Sequence, residues 1–214
     1  QILQRKNTIY YDVISGNNSG SIQLLTPYDN WEDRPLFDQD LIFDGYDPIT
    51  TDINGNYSID ISGSDQIGVT IYFTGPFIHV LNSAGAESYI QEILTPPTTF
   101  NVYWDDNNST PPERDAFYSA VRVHKYITTL DPELNVMDFP MTCNVNVAGT
   151  CNAFWSGYER TINFYQEGGG CPNIAQIADV VYHEYGHGIT DLQTRPSGPD
   201  GAMHEGFSDY TACT

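Results

Sequence analysis

Two segments constrain the fold of this chain more than any other feature: His183–His187, with the sequence H-E-Y-G-H, and a later segment that contains Glu205. Residues four apart on an α-helix differ by roughly 40° around its axis, so His183 and His187 project from one face. Both imidazole rings can then reach the same metal ion. A chain that uses this pattern must form a helix there and must bring Glu205, 18 residues after His187, back against it.

The residue types in these segments fit a catalytic zinc site. Such a site has three protein ligands and one open position, and we expect His183, His187 and Glu205 to be the ligands. Glu184 lies about 100° around the helix from His183, where it is placed to act as general base on a zinc-activated water. Asp209 follows Glu205 by four residues and is predicted to accept the remaining ring N–H of a ligand histidine. The alternative is a chance pair of histidines on an amphipathic helix, and it explains fewer of these residues.

Three motifs, in this order, resemble the gluzincin zinc metallopeptidases, both thermolysin-like and fungalysin-like. They are Asn152–Trp155 (NAFW), Asp179–Asp191 (DVVYHEYGHGITD) and His204–Asp209 (HEGFSD). The resemblance covers the chain from about Asn152 onward. It implies a secreted zinc-dependent endopeptidase, and it implies that this part of the chain is the N-terminal lobe, a sheet plus the active-site helix, of a zincin catalytic domain.

The resemblance also implies roles for residues outside the zinc motif. Asn152 and Ala153 would hydrogen-bond a peptide or protein substrate laid beside an edge strand, and Trp155 would flank the cleft. An edge strand has unpaired N–H and C=O groups, so it can bind an extended peptide as an added strand. The alternative for this segment is an ordinary aromatic strand near the core. Asp179 matches a calcium ligand of the family, so Ca²⁺ is a second expected cofactor beside Zn²⁺.

In the family, a histidine or tyrosine of a later, mainly helical lobe stabilises the oxyanion. The last residue here, Thr214, is expected to lie on the helix predicted to carry Glu205. We therefore expect a C-terminal fragment to complete the catalytic domain as a partner. The alternative function is a non-catalytic extracellular assembly or binding protein that retains the zinc site for stability.

Composition argues against several classes of partner. The 28 acidic and 8 basic residues give a formal net charge of −20, which argues against binding to nucleic acid or to anionic membranes. No apolar run approaches about 18 residues, so we expect no membrane insertion. The chain opens at Gln1 without a signal segment, as expected of a mature, processed product.

Four cysteines, Cys143, Cys151, Cys171 and Cys213, favour disulfides and an extracellular location. None of them forms a C-x-x-C pair, which argues against a cysteine zinc site. Three pairings are possible. We favour Cys143 with Cys151, as a staple across a hairpin, and Cys171 with Cys213.

The chain is predicted to be α+β, with an antiparallel β-rich accessory domain over residues 1–97 and the zincin lobe over residues 98–214. Short alternating stretches such as Asn56–Ile61 and Gly68–Phe73, separated by turn residues, indicate the β-rich part. Within the second part, the patterns predict a helix from Pro111 to about Thr129, a strand over Thr161–Tyr165 and a helix over about Asn173–Leu192.

Several other polar residues have simpler explanations than a functional site. Asp52, together with nearby Asn and Asp residues, could ligate calcium, but an Asn-Gly turn explains them at least as well. His79 and His124 lie within strand and helix patterns and are predicted to be structural. His204 adjoins Glu205 but projects about 100° away from it, so its predicted role is indirect at most.

Overall fold

Strands dominate the first half of the chain and helices follow. The computed structural model describes residues 11–63, 65–195, 197–198 and 200–213. The strands of these residues are β1 (Tyr11–Ile22), β2 (Glu32–Pro35), β3 (Asp40–Phe43), β4 (Ile49–Thr50), β5 (Asn56–Ser62), β6 (Ile67–Tyr72), β7 (Ile78–Asn82), β8 (Tyr89–Leu94), β9 (Thr98–Thr99), β10 (Val102–Trp104), β11 (Met141–Val147), β12 (Ala153–Ser156) and β13 (Thr161–Tyr165). The α-helices are α1 (Pro111–Leu130), α2 (Ala178–Thr194) and α3 (Gly201–Ala212), and a 3₁₀ helix spans Ile174–Gln176. The predicted α+β class with a β-rich N-terminal part is confirmed.

Strand β1 organises the first sheet because it pairs with four other strands. It is antiparallel to β5 along its first half and to β2 at its end. β9 and β10 pair with it in parallel. In β5, Tyr57, Ile59 and Ile61 are buried and the residues between them are exposed, as the two-residue period of a strand requires. The antiparallel arrangement predicted for residues 1–97 is therefore present in the pairs of β1 with β2 and β5, whereas β9 and β10, which pair with β1 in parallel, follow residue 97.

The second sheet has the order β4-β3-β6-β8, and all its neighbouring strands are antiparallel. Its buried face includes Val69 and Ile71 of β6, which alternate with half-buried Thr70 and Tyr72. This sheet lies entirely within the predicted β-rich part of the chain.

The third sheet, in the order β12-β13-β11-β7, supports the candidate site. Strands β7, β11 and β13 are parallel, whereas β12 is antiparallel to β13 and forms one edge. Strand β7 precedes residue 97 in the sequence and pairs with β11, which follows it. The predicted division at residue 97 therefore runs between two strands of one sheet, and two separate domains stay a prediction.

Two helices, α1 and α2, pack against strands of the third sheet. Helix α1 begins after Thr110, and the carboxylate of Glu113 reaches back to the Thr110 main-chain N–H at 3.4 Å. Its predicted bounds are confirmed to within one residue. Helix α2 begins later than predicted because Asn173 starts a 3₁₀ turn, in which its side chain accepts from the Ala175 N–H at 3.1 Å.

The predicted disulfide pairing is wrong. Cys151 is bonded to Cys171, with Cα atoms 5.4 Å apart, while Cys143 is buried and Cys213 exposed, both as free thiols. A staple between Cys143 and Cys151 needs β11 and β12 to be neighbours, but β13 lies between them. Cys143 instead points into the core with the alternate residues of β11.

The structural roles predicted for Asp52, His79 and His124 fit the structure. The Asp52 carboxylate accepts the main-chain N–H groups of Asn54 and Asn56 at 2.9 and 2.8 Å, so it closes a turn. His79 lies on β7, and its Nε2 atom is 3.5 Å from Oε2 of Glu87. Buried His124 stacks on Phe77 and shares a hydrogen bond with the hydroxyl of Tyr185 (2.7 Å).

Candidate metal centre and cleft

Helices α2 and α3 lie against each other and bring the two predicted motifs together. The close approach occurs at Gly186, where an added Cβ would lie 2.8 Å from the Cα of Ser208. Ser208 and Thr211 are fully buried at this contact. Glycine costs a helix about 1 kcal/mol relative to alanine, so the contact between the two helices explains its presence in the middle of α2.

Three side chains converge on one point between these helices. The Nε2 atoms of His183 and His187 lie 3.4 and 3.6 Å from the same carboxylate oxygen, Oε2 of Glu205. All three donor atoms lie within 4.8 Å of one another, and among the described residues they form the group of His, Cys, Asp or Glu side chains that could hold a metal ion. Two donors that each lie about 2.1 Å from a tetrahedral zinc are about 3.4 Å apart. The donor set and its spacing therefore fit one zinc ion.

The outer nitrogen of each histidine has its own partner on α3. Nδ1 of His183 lies 3.1 Å from Oδ1 of Asp209, and Nδ1 of His187 lies 2.9 Å from the hydroxyl of Ser208. The Asp209 carboxylate can only accept, which favours the tautomer of His183 whose Nε2 lone pair faces the cleft, whereas the Ser208 hydroxyl fits either tautomer of His187. The predicted place of Asp209 beside a ligand histidine is thus present in the structure.

The electrostatic surroundings keep His187 ready to bind a metal. Burial first, and then the charges of His204 and His183, lower the pKa of His187 to about 4. Its imidazole is therefore neutral near pH 7, and a metal ion does not have to compete with a proton there.

Glu184 lies beside this group and is only 5% exposed. Burial raises the pKa of its carboxyl to about 7, and the charge of Glu205 adds to the increase, while the main-chain N–H of Trp155 opposes it. Its Oε2 atom is buried and has no hydrogen-bond partner among the described residues. A buried carboxylate oxygen without a partner is rare, and here it borders a cleft that a reacting group can enter.

Strand β12 forms one wall of this cleft. The carbonyl of Asn152 accepts from the N–H of Tyr165 in β13, and strand groups alternate in direction. The main-chain groups of Ala153 therefore point to the free edge, and Asn152 contributes its side chain. The lining residues are Asn152, Ala153, Phe154, Trp155, His183, Glu184, His187, His204 and Glu205. The three predicted substrate-binding residues and the predicted metal group thus share one cleft.

The sequence analysis missed two contacts to His187 from α3. One is the Ser208 hydroxyl. The other is His204, whose Nε2 donates to the main-chain oxygen of His187 at 3.1 Å while its ring lies 4.3 Å from the ring of His187. His204 and Ser208 share a face of α3, because positions 204 and 208 are one turn apart. That spacing was the available signal for Ser208.

Asp179 is exposed in the first turn of α2. Within the described part of the chain, no further group of three or more acidic, histidine or cysteine side chains gathers around it. Calcium binding at Asp179 stays a prediction.

Comparison with known proteins adds no relative to this picture. No protein-family model matches the chain, and no curated protein matches it significantly. In the part of the chain that the structure describes, no helix is both long and apolar enough to span a membrane. Function must therefore be inferred from the site itself.

Proposed function

We propose that this protein is an extracellular zinc endopeptidase of the gluzincin type. On this proposal, the third sheet with α2 and α3 is the N-terminal lobe of the catalytic domain, and the β-rich part is an accessory domain. The observation that carries the proposal is the convergence of two imidazoles and one carboxylate beside a buried, partly unpartnered Glu184 at the free edge of a sheet.

His183, His187 and Glu205 would hold the zinc ion. When bound in such a site, zinc supplies Lewis acidity, which polarises a carbonyl and makes water more acidic. The single negative charge of Glu205 leaves the site with a net positive charge when occupied, as this chemistry requires. The contacts of Ser208 and Asp209 with the Nδ1 atoms of the two imidazoles would keep the rings in the orientation that binding needs.

Glu184 would move the proton. Its unpartnered Oε2 can accept a proton from the attacking water and then deliver it to the nitrogen of the leaving amine. The pKa near 7 suits both steps, because a base and an acid of matched pKa transfer protons best near the working pH. The N–H of Trp155 fixes one side of this carboxylate.

The free edge of β12 would hold the substrate. An extended peptide can pair with the outward main-chain groups of Ala153, and the side chain of Asn152 can bond a second peptide group. This arrangement lays the peptide across the mouth of the cleft, so its carbonyl lies near both Glu184 and the metal ligands. Peptide or protein is therefore the substrate class that we propose.

The test replaces Glu184 with glutamine, which keeps the shape of the side chain and removes the base. The complete protein is loaded with one zinc and assayed on an unstructured protein, with a chelator control. We expect Glu184→Gln to retain zinc and to lower kcat by at least ~10²-fold, the range of general-base assistance. As a control, Glu159→Gln removes an exposed carboxylate from the turn after β12 and should leave kcat unchanged.

Two outcomes would contradict the proposal. Near-normal turnover of Glu184→Gln with zinc bound would exclude Glu184 as the base. Full zinc occupancy of the wild-type protein with no chelator-sensitive cleavage of any peptide would favour a non-catalytic protein that retains the site for stability.

A further inference from the structure

Trp155 is attached to helix α2 at two points. Its indole Nε1 donates to Oδ2 of Asp191 at 2.9 Å, and its main-chain N–H donates to the carboxylate of Glu184. Glu184 and Asp191 are seven residues apart, which is about two turns, so they lie on the same face of the helix. Trp155, on the proposed substrate-binding edge, thus contacts α2 both at the proposed base and near the C-terminal end of the helix.

Gly188 lies between the two attachment points on the same face. A Cβ at this position would lie 3.2 Å from Cζ3 of Trp155 and 2.8 Å from Cε of Met137. The absent side chain therefore lets the indole ring lie directly on the helix. An added Cβ would require the indole ring to shift by a few tenths of an ångström and the end of Met137 to move aside.

Arg195 holds Asp191 in place from the other side. Its Nη2 donates to the same oxygen, Oδ2 of Asp191, at 2.7 Å and also to the main-chain carbonyl of Gly157. Gly157 follows β12 directly, and a Cβ there would lie 2.6 Å from Oδ2 of Asp191. The carboxylate, the guanidinium and the strand end therefore form one closed set of contacts.

The charge state of Asp191 suits this role. Burial acts to raise the pKa of its carboxyl, but hydrogen bonds from Arg195 and Trp155 and the charge of Arg195 outweigh burial, so the pKa lies below its ordinary value. Asp191 is therefore ionised near neutral pH, and its hydrogen bonds to Arg195 and to the indole are strengthened by charge.

We propose that Asp191 and Arg195 are positioning residues that act through Trp155: they hold the edge strand β12 against α2, so that Glu184 keeps its hydrogen bond and Ala153 faces the substrate. The inference rests on the proposed function. It adds that the geometry of the proposed base and of the peptide-binding edge is set by one contact, between Trp155 and Asp191, about two helical turns away from Glu184. A misplacement of about 1 Å can lower a rate by about 10²-fold, so small movements of Trp155 matter.

The test observes Trp155 directly and does not require turnover. In protein labelled with ¹⁵N-tryptophan, three indole N–H signals arise from Trp31, Trp104 and Trp155, and Trp155→Phe identifies the third. We expect Asp191→Ala to shift the Trp155 indole signal and to speed the exchange of both its indole and its main-chain N–H with water. Asp191→Asn retains an oxygen acceptor and should restore the indole signal in part.

The second measurement separates positioning from general damage. Zinc affinity should stay within about twofold of wild type in Asp191→Ala and Arg195→Gln, because the ligands are not changed, while kcat/KM on an extended peptide falls about 10-fold or more. Most of the loss should lie in kcat, since Glu184 is misaligned. Glu159→Gln, in the turn after β12, is the matched control. It should change neither the zinc affinity nor kcat/KM.

Each result has a defined meaning. An unchanged Trp155 indole signal in Asp191→Ala would show that the contact does not exist in solution, and an unchanged main-chain exchange rate would show that it does not position the strand; either overturns the inference. If the wild-type protein cleaves no peptide while both N–H signals respond as expected, the proposed function fails and the positioning of β12 by Asp191 stands. If Asp191→Ala does not fold, Asp191→Asn and Arg195→Gln provide the same comparison.

Discussion

At the level of single residues, helix α3 contacts the two proposed ligand histidines, His183 and His187, in unequal ways. His183 is paired with Asp209, whose side chain is 75% exposed, whereas His187 is paired with Ser208, which is fully buried. An exposed carboxylate gives a charged partner that salt can screen. A buried hydroxyl gives a neutral partner, but its loss leaves the buried Nδ1 of His187 without this hydrogen bond, which carries the desolvation cost.

This asymmetry predicts different losses of zinc affinity. We expect Ser208→Ala to weaken zinc binding by about 10–100-fold, the usual effect of removing a partner of a ligand histidine, and the loss should be independent of salt. Asp209→Asn keeps an oxygen acceptor and removes only the charge, so its loss should be smaller and should shrink as salt is added. Competition with a chromophoric chelator at low and high salt measures both, with Glu159→Gln as control. Equal losses with equal salt dependence would contradict the assignment of the two partners.

At the level of secondary-structure elements, the site is formed by helices α2 and α3 and by the edge strand β12. The contact between the two helices depends on Gly186. Helix α3 packs chiefly on α2, and Ser208 and Thr211 are its buried residues. Glu205 can reach the two histidines only if the helix axes stay this close. The separation of the axes is therefore a condition for binding a metal ion as well as for stability.

Replacing Gly186 by alanine tests the helix contact, and Gly206 provides a matched control. An added Cβ at Gly186 would meet the Ser208 backbone at 2.8 Å, whereas at Gly206, within α3, it would meet nothing within 4 Å. We expect Gly186→Ala to lower the free energy of unfolding by about 1–3 kcal/mol and to weaken zinc binding. Gly206→Ala should instead stabilise by up to about 1 kcal/mol, as a gain in helix propensity. Denaturant unfolding with and without zinc measures both, and a stabilising Gly186→Ala would show that α2 and α3 are not in close contact.

The elements also show what the sequence could and could not predict. The helical repeat alone places His183 and His187 on one face, and the four-residue spacing from Glu205 places Asp209 correctly, because both are local properties of a helix. The disulfide was predicted wrongly because strand order is not local: the insertion of β13 between β11 and β12 separates Cys143 from Cys151. The role of Ser208 depends on how α3 is rotated against α2, which the packing around Gly186 decides.

At the level of the whole molecule, polar contacts join distant parts of the chain, and Asp115 is central to one of them. Its Oδ1 accepts from the main-chain N–H of Gln23, just after β1, and its Oδ2 accepts from the side chain of Gln176 in the 3₁₀ helix. Gln176 also donates to the side chain of Gln23 at 3.2 Å. The contact thus joins the first sheet, α1 and the segment that leads into α2. Asp115 is one of the 28 acidic residues of the protein.

Asp115 makes the stability of the protein depend on pH. Burial raises the pKa of its carboxyl to about 7 in spite of the opposing hydrogen bonds from Gln23 and Gln176, and the side chain is only 1% exposed. The folded state therefore holds a proton that the unfolded chain has released, between the ordinary pKa near 4 and the raised one near 7. The stabilisation by the protonated form is complete below about pH 4 and is lost as the pH rises through about 7.

The corresponding prediction compares wild type with Asp115→Asn, which stays neutral at every pH and keeps an acceptor for the Gln23 N–H. Between pH 4 and pH 8, the free energy of unfolding of the wild type should fall relative to that of the variant by on the order of 2–4 kcal/mol, since each pKa unit is worth about 1.4 kcal/mol. Other titrating groups contribute equally to both proteins, so the difference between the two curves isolates Asp115. Urea unfolding at several pH values, at fixed salt and with zinc removed, gives both curves. A difference that stays constant, or that grows in favour of the wild type as the pH rises, would mean that Asp115 is already ionised in the folded protein and that its hydrogen bonds outweigh its burial.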